Sequence, residues 1–353
     1  MSKANRKKIG LVFGGKSGEH EVSILSAAAV LAAIDREKYD AVPFVIDKAG
    51  LWYQIESELE GLCDLEDPRV SGITAGARRV AFADFDAMVD FAFPLLHGPY
   101  GEDGTIQGLF DMLGKPYAGC GVAAAALSMD KVFTKDVWRQ AGLTVGDYTY
   151  TTKYACEDSV AEEAARIESE IPYPIFVKPA NMGSSVGISK VCDRAALETA
   201  IETAFKYDKR VIAEKNLCGR ELEIGVIGNG NPKLSAVGEI LSDNVYYDYD
   251  SKYRGGGARL DIPADIPYST RGAIEETALS AYKALDGEGF ARIDMFYDEG
   301  QGKVYLSEMN AIPGFTRFSM FPRLWQAAGM GFTELVTSII ELGYERHYFT
   351  NHR

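Results

Sequence analysis

Apolar and polar positions follow two rhythms along the chain, one of period two and one near 3.6, and their alternation predicts a mixed α/β protein. An apolar run at 9–13 ends at the glycines of GGKSG, and the stretch over 19–34 then has helical spacing, so strand, turn and helix are expected. Strands are expected again at 39–46 and 88–93, with a helix over 107–113, which together describe an open α/β layer of parallel type. The pattern changes near 125–130. A helix opens at the SMDK of 128–131, strands fall around Tyr148 and Ile175, and a charged helix over 157–170 separates them. Residues 188–191 alternate as a strand, Asp193 suits the N-cap of a helix reaching 207, and 210–215 reads as a strand. A helix from 270 to about 285 leads into ARIDMFYDEGQGKVYLSEMN, two apolar-rich runs about a glycine-containing turn, and a helix over 335–345 follows. Three domains are expected, over 1–127, 128–222 and 223–353.

The glycine-turn hairpin is where chemistry concentrates. Successive strand residues point to opposite faces, so Arg292 shares a face with Asp294, and Glu308 shares one with Asn310. One cation, two carboxylates and an amide converge in either register that the turn allows. They form either a structural ion pair centred on Arg292 or a magnesium site, since hard cations prefer carboxylate and amide oxygens. In the second case Arg292 is left to bind an anion.

Loops elsewhere carry further candidates. The turn at 14–18 has the strand-turn-helix geometry of an anion site, but it lacks G-x-G-x-x-G, and Glu19 beside it suits a cationic group better. His97, in the LHGPYGEDG loop at the carboxyl end of the 88–93 strand, is either functional or structural. Lys178 precedes GSSVG at 183–187, which lies between two strands and therefore reads as a lid for phosphates, its backbone N–H groups and the hydroxyls of Ser184 and Ser185 facing the ligand. Glu214 and Glu221, around the end of the 210–215 strand, meet adenine amino and ribose hydroxyl groups or are solvated edge charges. The aromatic, glycine-rich stretch at 245–257 and the loop at 313–320 read as functional loops.

Composition removes whole classes of function. Over 353 residues, 37 Lys plus Arg stand against 51 Asp plus Glu, a net charge of −14 that argues against nucleic acid and anionic membrane as partners. Five scattered cysteines without a C-x-x-C pair indicate neither a disulfide frame nor a zinc site. With no signal-peptide pattern and no run of 18 apolar residues, a cytoplasmic protein acting on small molecules is expected.

The motifs GGKSGEHEVS, LHGPYGEDGTIQG, SMDK, KPANMGSSVG, YYDYDSKY, ARIDMF and SEMNAIPGFTRFSMFP stand in one order over nearly the whole chain. In this the chain resembles the D-alanine:D-alanine ligases of the ATP-grasp superfamily. The resemblance implies an ATP-grasp fold, with an N-terminal open parallel α/β domain followed by central and C-terminal α+β domains that sandwich ATP. It implies that Asp294, Glu308 and Asn310 hold two Mg2+ ions, which Mn2+ can replace. Lys131, Lys178 and Lys252 would bind ATP phosphates, Lys215 and Leu217 would offer backbone groups to adenine, and Glu221 would meet the ribose. Glu19 would hold the ammonium of the first D-alanine and join Ser184 and Tyr253 in a hydrogen-bonded group that closes the site. Ser319 and Met320 would receive the second D-alanine's carboxylate with His97 nearby, and Arg292 with the N–H of Gly314 would form an oxyanion site. The implied reaction makes D-alanyl-D-alanine through an acyl phosphate for peptidoglycan precursor synthesis, in a homodimer. D-alanyl-D-lactate or D-alanyl-D-serine formation is the alternative, and Tyr253 speaks against lactate. A silent ATP-binding module and an NAD enzyme fit less of the chain. Asn181, Met182 and Met309 depart from the family pattern without removing a ligand.

Overall fold

The computed structural model describes residues 6–56, 59–242 and 258–351, arranged around three sheets in chain order. The first region contains β1 (Lys7–Gly14), α1 (His20–Ala33), β2 (Tyr39–Ile46), β3 (Trp52–Gln54), α2 (Pro68–Ser71), β4 (Arg78–Val80), α3 (Phe82–Met88), β5 (Phe91–Pro94) and α4 (Thr105–Met112). The sheet order is β4-β3-β2-β1-β5. β1 runs parallel to β2 and β5, as the apolar runs predict, whereas β3 and β4 add an antiparallel edge. Those two strands are three residues each, too short for a period to register in the sequence. Met88 ends a helix rather than opening a strand.

α5 (Val122–Met129) and α6 (Lys131–Gln140) meet at Asp130, whose carboxylate caps α6 by accepting from the N–H groups of Val132 and Phe133. Ser128 and Met129 thus close one helix and Lys131 opens the next, so the helix expected to open within 128–131 starts at the last of these residues. β6 (Tyr148–Thr152), α7 (Val160–Glu170), β7 (Ile175–Pro179), β8 (Ser189–Val191), α8 (Arg194–Ala204) and β9 (Arg210–Lys215) build the second sheet, ordered β6-β9-β7-β8 and antiparallel. The charged helix begins at an N-cap on Ser159, later than the composition suggests, and Asp193 caps α8 as expected. Ala164 and Ile167 of α7 and Leu197 and Ile201 of α8 bury against Ile175, Val177 and Val211.

The third sheet holds β10 (Arg220–Ile227), β11 (Lys233–Ser242), β12 (Ala258–Asp261), β13 (Phe290–Asp298) and β14 (Lys303–Asn310), ordered β12-β11-β10-β13-β14, with α9 (Tyr268–Ala284) between β12 and β13. On one face, Trp138 of α6 and Ile274, Ala278 and Tyr282 of α9 cover Leu222, Ile224, Ile293 and Met295. On the other lies α10 (Met320–Ala327), a helix that begins where the loop expected over 313–320 ends. Its approach needs glycine below it: a Cβ on Gly225 would come 2.7 Å from Trp325 Nε1, and one on Gly238 2.7 Å from Leu324 Cδ2. α11 (Phe332–Asn351) returns to the first region, where Leu335, Val336, Ile339 and Ile340 pack with Ile24, Ala27 and Leu31 of α1. The first and third regions therefore share a core. Among the described residues, no helix is long and apolar enough to cross a membrane.

Candidate active site

The cleft between the three sheets has two halves. Lys131, Met182, Gly183, Ser184 and Glu308 line both, so they stand at the wall between them.

β13 and β14 form the floor. Their register sets Arg292 opposite Asn310 and Asp294 opposite Glu308, and β10 adds Glu223 opposite Asp294. The expected convergence is present, with one more carboxylate than the hairpin alone supplies. Arg292 donates from Nε and Nη2 to the two oxygens of Asp294, each at 2.7 Å, and its Nε is 2.8 Å from Glu223. Burial opposes its charge, but Asp294 and Glu223 outweigh that and hold the guanidinium well above its ordinary pKa. Arg292 is thus engaged by carboxylates, where the magnesium reading of the hairpin leaves it to an anion. Asn310 Nδ2 donates to Asp294 at 2.9 Å, and Glu308 lies 3.9 Å from Lys131 Nζ. Among the described residues no three His, Cys, Asp or Glu side chains are grouped for a metal; the set here is two carboxylates and an amide. These are hard oxygen donors on adjacent strands, with Glu308 facing both halves of the cleft, and they fit a divalent cation shared with phosphate.

In the substrate half, Glu19 lies just before α1, and Ser184 Oγ of the lid donates to its Oε1. Room for this carboxylate depends on glycine: a Cβ on Gly98, at φ +71°, would come 2.9 Å from Glu19 Oε2. Ser184 and Ser185 both hold positive φ, 50° and 60°, a conformation unfavourable for side chains with Cβ and concentrated at functional loops. Asn181 and Met182 anchor the lid's foot. Asn181 Nδ2 donates to Asp130 and Asp208, and Met182 O accepts from Lys131 Nζ at 2.6 Å. Burial pushes the Lys131 ammonium down, against the charge of Glu308.

His97 is buried and structural in its bonding: Nε2 meets Ser26 Oγ at 3.0 Å and Nδ1 donates to Ile312 O at 3.0 Å. Burial lowers its pKa despite Glu19, so the ring is neutral and joins α1 to the segment before Gly314. Gly314, Ser319 and Met320 line the same half. Ser319 Oγ pairs with Thr316 Oγ1 at 2.8 Å, while the Met320 side chain packs with Ile240 and Leu324. Glu102, within the LHGPYGEDG loop, also lines this half; it accepts from Gly98 N at 2.9 Å and faces Ile312 N at 3.4 Å. Burial first, then Glu19, push its carboxyl up to about 8.

The nucleotide half collects Lys178, Ser185, Glu214, Lys215, Leu217 and Glu221. Glu214 is no solvated edge charge. It accepts from Lys135 Nζ at 2.8 Å and Lys178 Nζ at 2.6 Å. Burial raises its pKa, yet the two ammonium groups, Lys135 first, outweigh burial and hold the carboxyl well below its ordinary range. Lys135 went unread in the sequence, although its place one helical turn after Lys131 put it on the same face. Lys252 and Tyr253 lie outside the described residues.

The family model for the D-ala D-ala ligase N-terminus matches residues 8–120, and that for the D-ala D-ala ligase C-terminus matches 137–341. The chain belongs to the D-alanine–D-alanine ligase family. Among curated members of that family, it is 44% identical to the D-alanine–D-alanine ligase of Bacillus cytotoxicus over 349 residues, covering 96% of each chain. The counterpart from Geobacillus thermodenitrificans is 45% identical over 352 residues, covering 97% of this chain and 96% of its own. The D-alanine-D-alanine ligase structure from Coxiella burnetii superposes with a TM-score of 0.85 at 32% identity, over 98% of this chain and 96% of that one. The VanG D-Ala:D-Ser ligase of Enterococcus faecalis also gives 0.85, at 35% identity, over 96% and 100% of the two chains. These relatives have the ATP-grasp fold, and membership of the family entails ATP and a divalent metal.

Proposed function

We propose that the chain joins two molecules of D-alanine to D-alanyl-D-alanine, with ATP converted to ADP and phosphate, for peptidoglycan precursors. The observation that carries this reading is the two-part cleft: an anionic substrate half containing Glu19 and a lysine-rich nucleotide half, with Lys131, Ser184 and Glu308 shared between them.

Glu19 takes the ammonium of the first D-alanine, turning its carboxylate toward the dividing wall. That carboxylate attacks the γ-phosphoryl group, the bond to ADP breaks, and an acyl phosphate remains. Phosphoryl transfer demands mainly positioning and charge neutralisation. Lys131 and Lys178 supply the second, joined by Lys252. Lys215 and Leu217 offer backbone groups to adenine, Glu214 its carboxylate to the amino group, and Glu221 meets the ribose. Asp294, Glu308 and Asn310 would hold two Mg2+ ions, or Mn2+ in their stead, which add positive charge at the phosphates. The second D-alanine rests its carboxylate at Ser319 and the N–H of Met320, with His97 behind it, and its amine attacks the acyl carbon. The developing oxyanion meets Arg292 and the N–H of Gly314; because Arg292 spends Nε and Nη2 on carboxylates, Nη1 is the nitrogen to turn toward it. Collapse expels phosphate and leaves the peptide. Water would hydrolyse the intermediate, and Ser184 on Glu19, joined by Tyr253, closes the lid against it.

The reading includes a cytoplasmic location, supported by ATP use and by the free state of all five cysteines, and a homodimer, which rests on the family resemblance alone. Likeness to a D-Ala:D-Ser ligase supports a second reading, in which D-serine is the nucleophile. The test offers D-alanine, D-serine and D-lactate together with ATP and identifies the product. Predominant D-alanyl-D-alanine is expected; predominant D-alanyl-D-serine would replace the first reading with the second.

A further inference from the structure

We propose that Lys135 is a positioning residue for the nucleotide: it keeps Glu214 paired, so that Lys178 can leave that carboxylate for the phosphates of ATP. The inference rests on the reading of Lys178 as a phosphate ligand.

Three observations carry it. Lys135 is 2% exposed, and its Nζ is held at both ends, 2.8 Å from Glu214 Oε1 on β9 and 3.2 Å from Ser307 O on β14. The other oxygen of Glu214 receives Lys178 Nζ at 2.6 Å. Lys178 and Glu214 are diagonal neighbours on adjacent strands, Phe176 pairing with Glu214 and Lys178 with Ile212. One carboxylate thus carries two ammonium groups of unequal freedom. Both line the nucleotide cavity, but Lys135 is enclosed and anchored to two sheets, whereas the Lys178 side chain is 20% exposed.

The asymmetry has a consequence for binding. Breaking a buried ion pair is costly because it leaves an uncompensated charge. Were Lys178 the sole partner of Glu214, every arriving phosphate would compete with a buried carboxylate and strand it. With Lys135 fixed on the far oxygen, Glu214 keeps a counter-charge when Lys178 swings away. Lys135 acts through Glu214 and need not touch the nucleotide.

The test is a double-mutant cycle on KM for ATP and on kcat, in Lys135→Met, Glu214→Gln, their combination and Lys178→Met, with the thermal transition of each recorded. Lys135→Met is expected to raise KM for ATP about tenfold with kcat within about threefold, and in the Glu214→Gln background the same change should shift KM by less than about twofold, because the neutral amide no longer retains Lys178. Lys135→Gln, which keeps a donor for Ser307 but no charge, should behave as Lys135→Met and serves if that variant does not fold. Equal rises in both backgrounds, or no rise with either substitution, overturn the inference. Should Lys178→Met leave KM for ATP unchanged, the phosphate reading of Lys178 falls and the inference with it; a large effect of Lys178→Met without coupling between 135 and 214 overturns the inference alone.

Discussion

Glu102 sits in an environment far from what its type suggests. Its carboxyl is held near Glu19 between two backbone N–H groups, and burial with that neighbouring charge raises its pKa from 4.5 to about 8. In the unfolded chain the proton is lost near the ordinary value; in the folded chain it stays until about 8. Between these limits the native state binds more protons, so this group's contribution to stability is full below the ordinary pKa and is lost as pH rises through about 8. Glu102→Gln, which cannot ionise, should remove that loss. Urea midpoints of ligand-free protein at pH 5, 6.5 and 8.5 check it: the variant should gain on the parent as pH rises, and parallel curves would mean that the proton is not retained. The sequence displayed Glu102 in a glycine-rich motif, but only burial beside Glu19, 83 positions earlier in the numbering of one chain, gives it this character.

Among the elements, α6 and the lid share one anchor. Asp130 Oδ1 caps α6, and its Oδ2 accepts from Arg210 Nη1 at 2.9 Å and Asn181 Nδ2 at 3.1 Å. The cap and the foot of the lid are therefore one carboxylate. Asp130→Ala should cost about 2–4 kcal/mol, since it removes the cap, the acceptor of Arg210 Nη1 and one of the two acceptors of Asn181. Asp130→Asn keeps an oxygen for the cap and should cost less. Denaturant midpoints measure both, and an alanine variant within error of the parent would deny the anchor. The helix expected to open at 128–131 starts at Lys131, because Ser128 and Met129 still belong to α5 and Asp130 is the cap. Likewise α10 was hidden by its short length and by the functional appearance of the loop before it.

At the scale of the molecule, Ser184 on Glu19 is where the second sheet's lid touches the first region. A hydrogen bond to a charged acceptor contributes about 1.5–3 kcal/mol, so Ser184→Ala should lower kcat/KM for the first D-alanine by roughly 10- to 100-fold. Hydrogen exchange with ATP and D-alanine present should show weaker protection over 181–187 in the variant. Unchanged exchange and unchanged kcat/KM would remove the serine from closure. The first and third regions, by contrast, share α11 and its core with α1, and the same substitution should leave exchange there untouched.

Local order was decided by the sequence. Strands at 39–46 and 210–215 have the bounds their patterns predict, and the hairpin brings Asp294 near Glu308 because a strand's side-chain period and a short turn leave them close in either register the turn allows. Tertiary structure decided who partners whom. Glu223 meets Arg292 only because β10 pairs with β13; His97 reaches Ile312, and Lys135 reaches Glu214, only because separate regions pack around one cleft. Sheet order and helix packing depend on contacts between residues far apart in sequence, and those contacts determine whether a charged side chain is solvated, paired or left to bind a substrate.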